Sequence, residues 1–213
     1  MHTATNSFYA GATVHIYWVS AKNKMVSMDE RKLVKDCLKG LPQAQRELYN
    51  SFAETMLGVC YRYTKSINDA EDVLQEGFIK VFTSLHQYRF EGELGAWIRK
   101  VMVRTALNYL KKNKRYSSEL SYDEINLHPV SEENPLIIMQ AKELAGLIRQ
   151  LPTGYQAIFN LHAIEGYTHV EIGAMLGIHE GTARSQYARG RALLVSWIEN
   201  KKTEVKQPRY AGK

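Results

Sequence analysis

Four carboxylates, Asp69, Glu71, Asp72 and Glu76, crowd the segment SINDAEDVLQEGFIKVFTSLHQY. Acids at such density can bind magnesium or share a proton in acid–base chemistry. Their spacing suits neither use. On a helix Asp72 and Glu76 lie one turn apart on an outward face, nearly opposite the apolar stripe Leu74, Phe78, Val81 and Leu85, so the carboxylates do not converge on a cavity. They have no histidine partner at ligand spacing, and no nucleophile or general base stands out. His162, His169 and His179 fall on different helices or turns, and Cys37 and Cys60 form no CxxC pair. The expectation is of no catalytic residue, no metal, no cofactor and no small-molecule substrate, hence not an enzyme. Outward acids with no neighbouring base read instead as a surface on which another protein docks.

Basic side chains are gathered elsewhere. Between Leu94 and Ser118 stand Arg99, Lys100, Arg104, Lys111, Lys112, Lys114 and Arg115 with no acid among them, interleaved with Trp97, Asn108 and Tyr109. Basic groups supply phosphate affinity, while aromatic and amide groups can stack on or hydrogen-bond unpaired bases. A second set lies in EGTARSQYARGRALLVSWI, where Thr182, Arg184, Ser185, Gln186, Arg189 and Arg191 are expected to face outward. Arginine can pair with guanine through two hydrogen bonds, glutamine with adenine, and Glu180 near the amino end can accept from cytosine. The formal net charge of +6 suits a polyanionic partner.

These groups need elements to hold them. A 213-residue chain that is 45% hydrophobic and 23% charged has the balance of folded globular protein, which excludes a fibrous or wholly disordered chain. From Met28 onward helix punctuation is frequent. DERKLVKDCLKG puts Leu33, Val34, Cys37 and Leu38 on one face and ends at Gly40; the next helix opens at Pro42 and carries Leu48, Phe52, Val59 and Tyr63. The acidic segment follows, then LGAWIRKVMVRTALNYLKKNKR, expected to bury Trp97 and Val101, with Ile98, Met102 and Tyr109 beside them. Residues 116–135 hold two prolines, five acids and no lysine or arginine, the composition of a flexible linker. Helicity resumes in LIIMQAKELAGLIRQ and in PTGYQAIFNLHAIEG, which Gly166 closes.

Thr168 and Glu171 then spell a capping box for a short helix burying Ile172, Met175 and Leu176, stopped at Gly177. A longer helix follows, held by Ile178, Ala183, Leu193 and Leu194. A short helix, a glycine turn and a longer helix make a helix-turn-helix, whose second helix can enter a major groove. His179 stands where Ser or Asp would ordinarily cap that helix, a weakness of about 0.5–1 kcal/mol. The fold class expected is all-α. Its parts are a disordered extension or mis-called start at 1–27, a four-helix domain at 28–115, an acidic linker at 116–135, a helix-turn-helix domain at 136–199 and a basic tail at 200–213. Nothing approaches the ~18 apolar residues of a membrane span, no signal peptide is evident, and the two cysteines read as buried free thiols of a reducing, cytoplasmic protein.

With these pieces in order, the chain resembles bacterial RNA polymerase sigma factors of the extracytoplasmic-function type over about residues 28–195. The resemblance rests on DAEDVLQEGFIKVF, WIRKVMVRTALNYLKK and LPTGYQAIFNLHAIEGYTHVEIGAMLGIHEGTARSQYARGRALL at the expected separations. It implies a region 2-like domain that docks on the polymerase β′ clamp through Asp69, Glu71, Asp72, Gln75 and Glu76. The same domain would melt and hold the minus-ten element through the loop Tyr88, Arg89, Phe90, Glu91 and Gly92 and through Trp97, Arg99, Lys100, Arg104, Asn108, Lys111 and Lys112. Arg104 stands where some members carry an asparagine that helps to capture a flipped base, so the resemblance transfers no base preference there. It further implies a region 4-like domain that meets the β flap and reads the minus-thirty-five element with Glu180, Thr182, Arg184, Ser185, Gln186, Arg189 and Arg191, and an anti-sigma factor that covers the polymerase-binding surfaces. Two other readings remain: a stand-alone helix-turn-helix regulator, in which the acidic face is superfluous, and a magnesium-dependent DNA-processing enzyme.

Overall fold

The computed structural model describes residues 30–112 and 141–206, and these fall into two compact helical units. Among the described residues there is no strand, so the all-α expectation holds. The expected extension at 1–27 and the acidic linker at 116–135 lie outside them.

Among the described residues the first unit has four α-helices, α1 (Glu30–Leu38), α2 (Pro42–Tyr61), α3 (Ile67–Ser84) and α4 (Leu94–Lys112), with a 3-10 turn at Leu85–Gln87. Pro42 opens α2, where its missing N–H costs nothing. The Ser66 hydroxyl caps α3 by accepting from the Asp69 amide at 3.1 Å. Each helix turns apolar residues at three- and four-residue spacing to a shared core: Leu33, Val34 and Cys37; Leu48, Met56, Val59 and Cys60; Val73, Leu74, Phe78 and Val81; Ile98, Met102, Ala106 and Leu110. Burying each of the larger side chains contributes about 1.5–3 kcal/mol, which outweighs the weak propensity of any single helix. Helices α2, α3 and α4 pack against one another, and α1 lies on α2.

Three expectations about this core are corrected. In α4 the inward row is Leu94, Ile98, Met102 and Ala106; Trp97 and Val101 sit one residue off that row and are only half-buried. Leu38, beyond the last inward turn of α1, is exposed. Phe52 is half-buried, and Met56 fills the α2 face instead. Cys37 and Cys60 are buried free thiols as expected. Burial pushes the Cys37 thiol up, helped by the nearby Asp36, and pushes Cys60 up to about 12, so neither ionises readily.

The second unit holds α5 (Ala141–Gln150), α6 (Thr153–Phe159), α7 (His169–Leu176) and α8 (Glu180–Lys206). Its core joins Leu144, Leu147, Ile148, Leu151, Tyr155, Phe159, Leu194 and Ile198, so α8 packs on α5 and α6 as well as on α7. The segment expected as one helix up to Gly166 divides. After Phe159 the coil widens into a π turn over Asn160–Ile164, where the Glu165 amide donates to the Asn160 carbonyl at 2.9 Å. Helix α8 continues through Lys206, into the stretch expected as a tail.

Candidate nucleic-acid and docking surfaces

The acidic face of α3 is built as its spacing suggests. Ala70, Val73, Leu74, Gly77 and Phe78 take the inward side, which leaves Glu71, Asp72 and Gln75 exposed. Two of its acids are engaged. Asp69 accepts a hydrogen bond from the Tyr109 hydroxyl at 2.6 Å. Glu76 meets Lys80 Nζ at 2.6 Å and Lys112 Nζ at 3.8 Å, and the Lys80 hydrogen bond holds its carboxyl below the ordinary range. The expectation of acids with no neighbouring base is thus corrected at Glu76. Lys80 is its partner one helical turn on, a pairing the sequence spacing already offered. Sequence reasoning missed Ile79. It is 64% exposed one turn beyond Gln75 and Glu76, an apolar group at the C-terminal edge of the acidic face. Among the described residues no group of three or more His, Cys, Asp or Glu could hold a metal.

The loop between α3 and α4 is stitched together by aromatic rings. Tyr88 is buried, and its hydroxyl donates to the Gly92 carbonyl. The Tyr88 ring lies 4.8 Å from Phe90 and 5.7 Å from Trp97 between centroids, and the Arg31 guanidinium stands 5.4 Å from the Phe90 centroid. Phe90 adopts φ 59°, a left-handed conformation uncommon for a bulky residue. Tyr88 was expected at the nucleic-acid surface. It turns inward, because its ring fills the gap between the loop and Trp97. Arg89, Glu91 and Gly92 are exposed. On α4, Lys100, Arg104, Asn108 and Lys111 are exposed at three- and four-residue spacing and form one polar stripe with Lys112 at its end, while Trp97 and Arg99 flank it half-buried.

In the second unit the helix-turn-helix is closed by local chemistry. The Thr168 hydroxyl accepts from the Glu171 amide at 3.3 Å, and the Glu171 carboxylate accepts from the Thr168 amide at 2.8 Å, which completes the capping box. The Thr168 amide and hydroxyl, both donating to the Glu171 carboxylate, lower its pKa. Gly177 ends α7 at φ 72°, the conformation glycine adopts without penalty. Gly173 lets the turn fold back, since a Cβ there would lie 2.8 Å from the Ile178 carbonyl oxygen. The cap of α8 was expected to be poor. Instead the His179 Nδ1 accepts from the Gly181 amide at 3.1 Å and takes the capping role.

On α8 the residues divide between two sides. Arg184 and Ser185 are exposed, and Glu180, Thr182, Arg189 and Arg191 are half-exposed. Arg184 forms an ion pair with Glu180 one turn earlier, so Glu180 is engaged with a neighbouring side chain. Gln186 was expected to face outward and does not. Ala183, Gln186, Gly190 and Leu194 follow the inward row, and Gln186 is 5% exposed with its Oε1 unpartnered among the described residues. Between α7, α8 and the π turn, the rings of His162, His169 and Tyr187 meet, a cluster the sequence reading left unconnected.

Each unit matches a known sequence family. Residues 48–116 match sigma-70 region 2, and residues 141–194 match sigma-70 region 4. The chain is similar to the extracytoplasmic-function (ECF) RNA polymerase sigma factor SigE of Mycolicibacterium smegmatis, 30% identical over 165 residues. That match covers 76% of this chain and 64% of SigE, so the chain spans less than two thirds of that relative. It is also similar to the ECF sigma-E factor of Escherichia coli (strain K12), 27% identical over 183 residues that cover 81% of this chain and 95% of the relative. A solved structure of CnrH in complex with the cytosolic domain of CnrY aligns with a TM-score of 0.44 at 20% identity, over 80% of this chain and 97% of CnrH. The matching families are of transcription initiation factors, and no catalytic family is among them.

Proposed function

The chain belongs to the extracytoplasmic-function sigma factors of the sigma-70 family, and we propose that it binds core RNA polymerase, directs it to specific promoters and helps to melt the minus-ten element. The observation that carries this reading is that each unit carries its own charged surface. An outward acidic face on α3, with Ile79 exposed at its C-terminal edge, suits a protein partner, and an arginine-bearing face on α8 suits duplex DNA.

In this proposal Glu71, Asp72 and Gln75, flanked by Glu76 and Asp69, dock on the polymerase β′ clamp. Arg89, Phe90, Glu91, Gly92, Trp97 and the stripe Lys100, Arg104, Asn108, Lys111 and Lys112, with Arg99 beside it, hold the melted minus-ten strand by phosphate contact and stacking. The second unit meets the β flap and presents Thr182, Arg184, Ser185, Arg189 and Arg191 to the minus-thirty-five element, with Glu180 holding Arg184. Tyr88 and Gln186 support these surfaces from inside rather than touching DNA. The domain limits proposed are 28–115 and 136–199, joined by 116–135, in a cytoplasmic protein. An anti-sigma factor covering the α3 face is the regulator the exposed Ile79 would suit.

Size-exclusion chromatography of the full chain with core RNA polymerase tests the docking half of this reading. Co-elution at equimolar mixing is expected. Elution as separate peaks, together with tight sequence-specific binding of duplex DNA by the chain alone, would replace it with a stand-alone regulator.

A further inference from the structure

Three rings meet between the first residue of α7, the π turn and α8. His169, the first residue of α7, stacks on His162 of the π turn with centroids 4.2 Å apart and planes 24° from parallel. Tyr187 of α8 closes the group, edge-on to His162 at 4.5 Å and 5.6 Å from His169. Tyr187 also stacks on the core residue Phe159 at 5.7 Å. The helix proposed to read DNA is therefore seated on a pair of imidazoles.

The protonation states that this packing accepts follow from its hydrogen bonds. His162 Nδ1 lies 2.8 Å from the Tyr167 carbonyl oxygen, which can only accept, so Nδ1 carries the hydrogen. His169 Nδ1 is buried with no hydrogen-bond partner among the described residues. An imidazolium carries N–H on both nitrogens, so a proton added to His169 would leave a charged ring with a buried, unsatisfied donor. That charge would also lie against the His162 ring. The groups around it are His162 from the π turn, Glu180, Arg184 and Tyr187 from α8, and Glu171 on α7, whose carboxylate is turned to Thr168. Arg191 adds positive charge near Tyr187. The two carboxylates favour a protonated His169, but Glu180 is already paired with Arg184 and Glu171 accepts from Thr168.

We infer that neutral His169 is a positioning residue for the DNA-reading helix, so that acidification unseats Tyr187 and Arg184 and weakens recognition of the upstream promoter element. This rests on the promoter-reading function proposed above. Desolvation, with His162 and Arg184 adding to it, lowers the His169 pKa from its ordinary 6.5. A depressed pKa in the folded state means that the unfolded or unseated state takes up protons first. The stabilising effect is therefore present above the ordinary value and lost as pH falls through the folded one.

The test is transcription by core polymerase with the full chain, from templates with a matched or a scrambled upstream element, at about pH 7.5 and about pH 6. The ratio of the two yields cancels the pH dependence of the polymerase itself. For the wild type the ratio should fall in acid, by up to about fourfold, the ceiling that an unseated pKa of 6.5 sets between these two pH values. His169→Phe, which keeps a ring but cannot titrate, should hold its ratio at both pH values. A wild-type ratio that does not change, or a His169→Phe ratio that falls like the wild type, overturns the inference while leaving the promoter-reading function intact. No preference for the matched element at either pH overturns that function and the inference with it. Should His169→Phe fail to fold, NMR titration of the His169 ring in the full wild-type chain decides. A midpoint below 6.5 is expected, and one at or above it refutes the inference.

Discussion

The Tyr109 hydroxyl donates to the Asp69 carboxylate at 2.6 Å across a separation of 40 residues, and so ties the basic helix α4 to the first turn of the acidic helix α3. The acidic and the basic face of the first unit are tied to each other by this contact. Asp69 is also placed at the positive end of the α3 dipole, where a carboxylate is favoured.

Tyr109→Phe removes that hydrogen bond and keeps the ring. Urea unfolding should show a loss of about 1 kcal/mol, below the ~1.5–3 kcal/mol of hydrogen bonds to charged groups because solvent screens this partly exposed site. An unchanged midpoint would mean that the contact contributes nothing to holding α3 on α4.

Asp72→Lys combined with Glu76→Lys should abolish co-elution with core polymerase while the helical circular dichroism is kept. The ion pairs of Glu76 are solvent-exposed, and such pairs contribute only about 0–1 kcal/mol, so the fold should survive. Ile79→Asp should weaken the same binding without lowering thermal stability, because the side chain is already in solvent. Undiminished co-elution of both folded variants would show that α3 is not the docking face.

Arg184→Ala should cost about 1–3 kcal/mol of discrimination at the upstream element while polymerase binding is spared. Gln186→Leu separates the buried amide from the exposed arginine. It replaces an unpartnered buried polar group with an apolar one, so stability should hold or rise and base preference should not change. A shift of preference at one upstream position in Gln186→Leu would return Gln186 to the DNA surface.

Gly173→Ala should destabilise the second unit by about 1–3 kcal/mol and reduce upstream discrimination, since its Cβ meets a backbone carbonyl that cannot rotate away. Thermal unfolding at the wild-type midpoint would show that the α7–α8 turn can widen without penalty.

What the sequence made legible follows a physical division. Thr168, Glu171 and Gly177 declare the helix-turn-helix because capping and left-handed turns are decided by local residue chemistry. The stripe Leu74, Phe78, Val81 and Leu85 is legible because helical periodicity alone sets which side is buried. Gln186 is illegible for a physical reason: its polar type suggests solvent, while its place between Ala183 and Gly190 puts it on the inward row. Tyr88 was misplaced for a different reason: the loop's fold-back onto Gly92 and Trp97 leaves no periodic trace. The His179 cap and the His162–His169–Tyr187 cluster depend on ring orientation, and the Tyr109–Asp69 contact joins distant parts of the chain. Neither kind of information is carried by spacing.

Run-off transcription from a randomised promoter library, with the purified chain added to or withheld from core RNA polymerase, tests the central claim most directly. The account predicts transcripts only when both are present, with two upstream boxes enriched among the templates used. Transcripts independent of the chain, or none at all while the chain alone selects a duplex sequence, would contradict it.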